Sequence, residues 1–218
     1  MRVNPLARRW HLLTAAVALL ALVLQLVLVV DGAAVLAETA RPALGLRLGR
    51  FVSYFTIQSN ALVAVTTLQL ARNAGQDGRG WRVARLCAVA GITVTGLVHF
   101  FLLRPLLDLE GWNWAADKLL HMVVPVLALL GWAVFGPRPR IIGRTIAWAL
   151  LWPILWLLWT LVIGGTTGWY PYPFLDVDEK GTASVTTACV GVTVLFLVVF
   201  ALLAAVDRTL AAAPDQDS

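Results

Sequence analysis

Six apolar runs, each long enough to cross a bilayer, decide most of what this chain can fold into. They cover Leu12–Val30, Val52–Ala71, Arg82–Leu103, Leu119–Phe135, Thr145–Ile163 and Ser184–Val206. As helices rising about 1.5 Å per residue, segments of this length span a hydrocarbon core of about 30 Å. Backbone polar groups have no water to bond in hydrocarbon, so each segment must satisfy its own, which selects helix. The 218-residue chain is 60% hydrophobic and only 13% charged, against about 25% charged in soluble domains. Its charges cluster between the apolar runs, and no polar stretch approaches the roughly 50 residues of a separate soluble domain. The expectation is an all-α, polytopic membrane protein with one six-helix domain over residues 1–210 and a disordered tail at 211–218. The first run follows Arg2, Arg8 and Arg9. It exceeds the roughly 7–15 apolar residues of a signal peptide and so reads as an uncleaved anchor.

Basic residues set the expected orientation in a cell membrane. With the N-terminus inside, the inner segments hold Arg2, Arg8, Arg9, Arg72, Arg79, Arg82, Arg85, Arg138, Arg140, Arg144 and Arg208. The outer ones hold Arg41, Arg47, Arg50, Arg104, Lys118 and Lys180. Eleven against six favours both termini in the cytoplasm. The net charge of +5 thus belongs to segment ends, a pattern for membrane orientation and not for nucleic acid. Cys87 and Cys189 fall near opposite membrane faces and are expected unpaired.

Two outer loops stand out. Residues 31–51 form a long, partly apolar loop with Pro42, and residues 164–183 carry Trp169-Tyr170-Pro171-Tyr172-Pro173. The second is either an interfacial aromatic belt or a lid over an outward cavity.

Polar side chains inside apolar runs mark the candidate site, because each one left unpaired in hydrocarbon costs several kcal/mol. In the second run Ser53, Thr56, Ser59 and Asn60 share one helical face by spacing. Intramembrane histidines are His99 and His121, with Asp117 one turn before His121 and Pro125 one turn after it. Thr56 reads as a nucleophile or as a helix threonine bonded to its own preceding turn. His121 reads as a general base, near the positive end of its helix, or as a packing histidine. Ser59, Asn60 and Ser53 would hold substrate or an oxyanion. His99, Asp117 and Tyr170 would support the reacting pair. His99 alternatively ligates a metal or haem or joins helices, and His11 reads as an interface residue. Thr56 and His99 lie roughly 6 Å below the outer ends of their runs, and His121 roughly 3–5 Å. One shared layer follows, with the Thr56 hydroxyl in reach of the His121 ring at the floor of an outward pocket. No Gly-x-Ser-x-Gly, His-Glu-x-x-His, Walker loop or Cys-x-x-Cys motif occurs.

Three stretches in order carry a family resemblance: Tyr54-Phe55-Thr56-Ile57-Gln58-Ser59-Asn60, Leu119-Leu120-His121-Met122-Val123-Val124-Pro125, and Trp169-Tyr170-Pro171-Tyr172-Pro173-Phe174-Leu175-Asp176. The chain resembles the bacterial branch of the androgen-induced protein and androgen-dependent TFPI-regulating protein family. The resemblance implies a six-helix membrane hydrolase, similar to the animal members that cleave fatty acid esters of hydroxy fatty acids. It places the threonine nucleophile on Thr56 and the histidine on His121, and implies no cofactor and no metal. Where it leads one to expect an acidic residue after the proline of the histidine helix, this chain has Gly131-Trp132. The leading expectation is therefore hydrolysis of a membrane lipid or lipid-like ester. The rivals are a transporter or lipid-binding protein using the same cavity without chemistry, a haem protein with His99 and His121 as axial ligands, and a purely structural bundle.

Overall fold

The structure is a computed structural model that describes residues 4–32, 42–138 and 140–212. Every regular element among these residues is helical. In chain order they are α1 (Pro5–Asp31), α2 (Leu44–Ser53), α3 (Phe55–Arg72), α4 (Arg79–Val98), α5 (Gly111–Lys118), α6 (Val124–Phe135), α7 (Gly143–Thr167), α8 (Val177–Lys180) and α9 (Thr182–Ala212). A π turn at His99–Leu103 and a 3₁₀ turn at Arg104–Leu106 prolong α4, and a π turn at Leu119–Val123 fuses α5 to α6. Five stretches are long and apolar enough to cross a membrane: Pro5–Asp31, Arg79–Leu106, Gly111–Phe135, Gly143–Thr167 and Thr182–Ala211. Helices α2 and α3 reach that length and hydropathy only together, as a pair bent by 67°, and make a sixth if the pair is one span. The protein is an all-helical, multi-pass membrane protein.

Three boundaries differ from the sequence reading. The stretch 31–51 is not all loop, because α2 occupies Leu44–Ser53; residues 33–41, with Arg41, lie outside the described residues. The fourth span begins at Gly111 and not at Leu119, since α5 runs into α6 without a break. His121 is therefore well inside a helix, and a helix terminus exerts its field only over the first turn. The last helix reaches Ala212, into the stretch expected to be disordered, and residues 213–218 lie outside the described residues.

Helix ends are closed by side chains where sequence supplies them. Asn4 accepts from Leu6 N at 3.0 Å and Ala7 N at 3.4 Å, with Pro5 opening the helix. At the other end of α1, Arg47 of α2 donates to Val29 O at 2.5 Å and Val30 O at 3.1 Å. That guanidinium covers the carbonyls that the last turn leaves free.

The bend at Tyr54 is the least expected feature, because neither proline nor glycine marks it. Tyr54 is extended, with φ −67° and ψ 127°. A break inside a membrane frees backbone carbonyls that must find partners. Gln58 Nε2 donates to Val52 O at 3.0 Å, and Trp156 Nε1 donates to Ser53 O at 2.8 Å. Trp152 Nε1 in turn donates to Gln58 Oε1 at 3.0 Å, fixing the amide that does this. The break is thus held by side chains of α3 and α7.

Helix α4 is the centre of the bundle and packs against α3, α6, α7 and α9. Small side chains fill the seam between α1, α3, α4 and α6: Ala18, Ala64, Ala88 and Ala128 meet Val63, Ile92 and Val124. Small residues let helices approach closely where no water drives them together. On the other side, Phe55 stacks on Trp152 at 4.4 Å and meets Phe196 edge-on at 5.7 Å. Helices α7 and α9 both lie on α4 but make little contact with each other. His11, expected at the interface, is instead buried against Phe135. Gly131 lies beside Trp10 and His11, and a Cβ there would come within 2.7 Å of the indole. That space, with Trp10 Nε1 donating to Leu127 O at 3.0 Å, explains the glycine where an acidic residue was expected.

Candidate active site

The bend at Tyr54 puts the start of α3 inside the bundle, and Thr56 is its second residue. The first amides of a helix have no carbonyl partner of their own. Thr56 N is one of these, and it donates to the Tyr172 hydroxyl at 3.3 Å. At this position the Thr56 hydroxyl has no preceding helical turn to bond. It faces His121 Nε2 at 3.3 Å and Tyr172 Oη at 3.3 Å.

His121 lies in the π turn Leu119–Val123, just before Pro125. Wide turns of this kind recur at functional sites because they shift a side chain out of α-helical register. Its Nδ1 is 3.0 Å from Asp117 Oδ1 and 3.0 Å from Asp117 O. One neutral tautomer satisfies the whole line. Nδ1–H donates to Asp117, Nε2 accepts the Thr56 proton, and Tyr172 O–H donates to the Thr56 oxygen. Gly96 of α4 allows the close approach this needs: a Cβ there would sit 3.3 Å from His121 O and 3.4 Å from Pro125 Cβ.

Asp117 is buried and surrounded by cations and donors. Lys118 Nζ is 2.9 Å from its Oδ2, and His99 Nε2 is 3.4 Å from the same oxygen. His99, 1% exposed, stacks on His121 with ring centres 4.0 Å apart and planes 11° apart. Its contact with Asp117 is long and off the line of a good hydrogen bond, so we read it as electrostatic. The rings stack face to face, so an iron held between them as a bis-histidine haem would require them to part. His99, Asp117 and His121 do offer one ligand atom each within 4.8 Å of one another, as a three-residue metal site would. Lys118 Nζ lies 2.9 Å from Asp117 Oδ2, beside these same groups.

Tyr172, not Tyr170, is the tyrosine of the site. Pro171 and Pro173 keep this loop from forming a regular helix, and Tyr172 turns inward, 6% exposed. Tyr54 meets it edge-on at 5.8 Å, and Phe174 stacks on it at 5.5 Å. Burial raises the Tyr172 phenol above its ordinary value, so it stays a proton donor. Tyr170 packs against Gly164 of α7 instead.

The residues expected to hold an oxyanion are occupied elsewhere. Ser53 sits on α2, across the bend from Thr56, and its hydroxyl donates to Gly49 O at 2.8 Å. Ser59 bonds Phe55 O and Thr95 Oγ1. Asn60 donates its amide to Thr56 O at 2.8 Å and Leu120 O at 3.3 Å, tying α3 to the histidine turn. The donors nearest the Thr56 hydroxyl are its own N–H and the Tyr172 hydroxyl, which are bonded to one another in the resting site and would turn to an incoming carbonyl oxygen. Both lie at the positive end of α3, which favours negative charge on a carbonyl oxygen.

A cavity of about 70 Å³ touches Thr56 and Tyr172. Its walls come from α4, α7 and α9, with Val98, Ile154 and Phe196 among them. No protein-family model, curated protein or solved structure gives a match to this chain.

Proposed function

We infer that the protein is an integral membrane hydrolase of lipid-like esters, with Thr56 as nucleophile and His121 as base. The supporting observation is the continuous line Thr56 Oγ1, His121 Nε2, His121 Nδ1, Asp117 Oδ1, with steps of 3.3 Å and 3.0 Å outside the ring. Nucleophile, base and orienting carboxylate in hydrogen-bond reach are what acyl transfer requires.

Thr56 Oγ1 attacks the ester carbonyl carbon as its proton passes to His121 Nε2. The carbonyl oxygen takes the negative charge and accepts from Thr56 N–H and Tyr172 O–H. Collapse breaks the bond to the alcohol oxygen, which leaves with the proton from Nε2. Water then repeats the sequence on the acyl-threonine, giving the acid and restoring the hydroxyl. Asp117 holds the imidazole and balances its transient charge, and Lys118 and His99 fix Asp117.

This reading agrees with the resemblance to the androgen-induced protein and androgen-dependent TFPI-regulating protein family, and with a role in lipid metabolism. It also carries the expected orientation, with both termini cytoplasmic in a cell membrane and the Thr56 end outside. Single cysteines at Gly78 and Asp178 in a cysteine-free background test that. An impermeant reagent should label position 178 from outside and spare position 78; the reverse pattern inverts the topology.

The catalytic test is a mutant cycle. Thr56→Ala, His121→Ala and the double variant should lose ester hydrolysis to a similar level, because parts of one proton relay fail together. A double variant much worse than either single one means the two residues do not act as a unit.

A further inference from the structure

The cavity at Thr56 has a larger neighbour. A second, larger cavity of about 620 Å³ lies between α7 and α9, and Leu157, Cys189 and Thr193 line both. The two spaces share these walls at the seam, where α7 and α9 pack on α4 and barely on each other. On the outer side the second cavity is bounded by Gly165, Tyr170 and Thr182, near the ends of the two spans. The α7 wall from Pro153 to Gly165 is roughly 18 Å long at 1.5 Å per residue.

This seam lies within the membrane-spanning length of both helices. A gap there faces hydrocarbon, and apolar walls offer nothing to a polar solute. Polar groups stand at its two ends, Thr56 and Tyr172 within and Asp178 and Thr182 at the outer rim, and the stretch between is lined mainly by Leu157, Leu161, Val190 and Val194. A narrow apolar passage that ends on a nucleophile fits a linear chain with a carbonyl at its tip.

We propose that the α7/α9 seam is a lateral portal for the acyl chain of an ester dissolved in the bilayer, resting on the hydrolase reading above. The carbonyl reaches Thr56 while the chain runs past Cys189 and Leu157 into the membrane. Long-chain esters are then the preferred class, and the protein takes them from the bilayer without passing them through water.

Two measurements test this. The first is a ratio of rates on para-nitrophenyl palmitate and para-nitrophenyl butyrate for the full chain in lipid nanodiscs. Gly165→Trp fills the outer part of the passage, and a Cβ at Gly165 meets no atom within 4 Å. Thr193→Trp fills the seam. Each should lower the palmitate-to-butyrate ratio by about tenfold or more, and an unchanged ratio overturns the portal. The second uses the Thr56→Ala variant and a palmitate analogue with a diazirine at mid-chain, its adducts mapped by mass spectrometry. Adducts should concentrate on the segments of α7 and α9 around Leu157, Cys189 and Thr193, and excess palmitate should suppress them. Adducts spread over the lipid faces of α1, α6 and α9 alike overturn the proposal. If the wild type hydrolyses neither ester, the hydrolase reading fails, and the adduct map still decides the portal.

Discussion

Replacing Tyr172 with phenylalanine isolates the most specific feature of the proposed chemistry. The hydroxyl lies 3.3 Å from both Thr56 Oγ1 and Thr56 N, and the ring is packed between Tyr54, Trp156 and Phe174. Tyr172→Phe removes one oxygen and leaves that packing in place. Loss of a single oxyanion donor lowers kcat by about 10²–10³-fold, or about 2.7–4 kcal/mol. The 3.3 Å separations are at the long end for hydrogen bonds, so a loss near the lower figure is expected. KM should change little, since the donor acts on charge that develops only in the transition state. Stability should fall by about 1–3 kcal/mol, because Thr56 N–H is left buried without an acceptor. Initial rates on a soluble ester separate kcat from KM, and thermal unfolding in the same detergent reports the stability term. Burial raises the Tyr172 phenol, so its proton is still held as pH rises through the ordinary tyrosine range near 10. The wild-type rate should therefore show no loss in that range from this group. A Tyr172→Phe variant that is destabilised but keeps the wild-type kcat would refute the role drawn for the hydroxyl.

Three further outcomes follow from the geometry. Asp117→Asn should cost about 10²-fold in kcat, near the lower end for a proton-transfer partner, because Asp117 O still meets His121 Nδ1 at 3.0 Å; activity and His121 NMR shifts report it. Ser53→Ala should leave ester hydrolysis unchanged, since the hydroxyl bonds Gly49 O on the other side of the bend. Gly96→Leu should destabilise the bundle by about 1–3 kcal/mol through overpacking and also lower kcat, because the added atoms press on His121 O and Pro125; unfolding curves and rates measure the two effects.

What was legible in the sequence was whatever contrasts with hydrocarbon. Thr56, Asn60, His99 and His121 stand out as polar groups in apolar runs, but the depth of His121 could not be counted from Leu119, because its span begins at Gly111. Asp117 could be linked to His121 by a four-residue helical spacing, and that spacing is present across α5 and the π turn. Ser53 was misplaced because the bend at Tyr54 has no local breaker; partners on α3 and α7, distant in sequence, hold it. Tyr172 was missed for a related reason. A tyrosine between two prolines beside a span reads as an interfacial aromatic, and only the folded loop turns it onto Thr56. Ser59 and Asn60 share the polar face but use their donors to join helices, which spacing alone cannot reveal. The six spans themselves needed no tertiary information, since length and hydropathy suffice in a bilayer.

Covalent capture of the nucleophile tests the central claim most directly. A fluorophosphonate probe incubated with the detergent-solubilised full chain should form one adduct, mapped by mass spectrometry to Thr56. The adduct should vanish in Thr56→Ala and be strongly slowed in His121→Ala, which keeps Thr56 but loses its base. An adduct on any other residue, or ester hydrolysis that persists in Thr56→Ala, would contradict a threonine nucleophile at the start of α3.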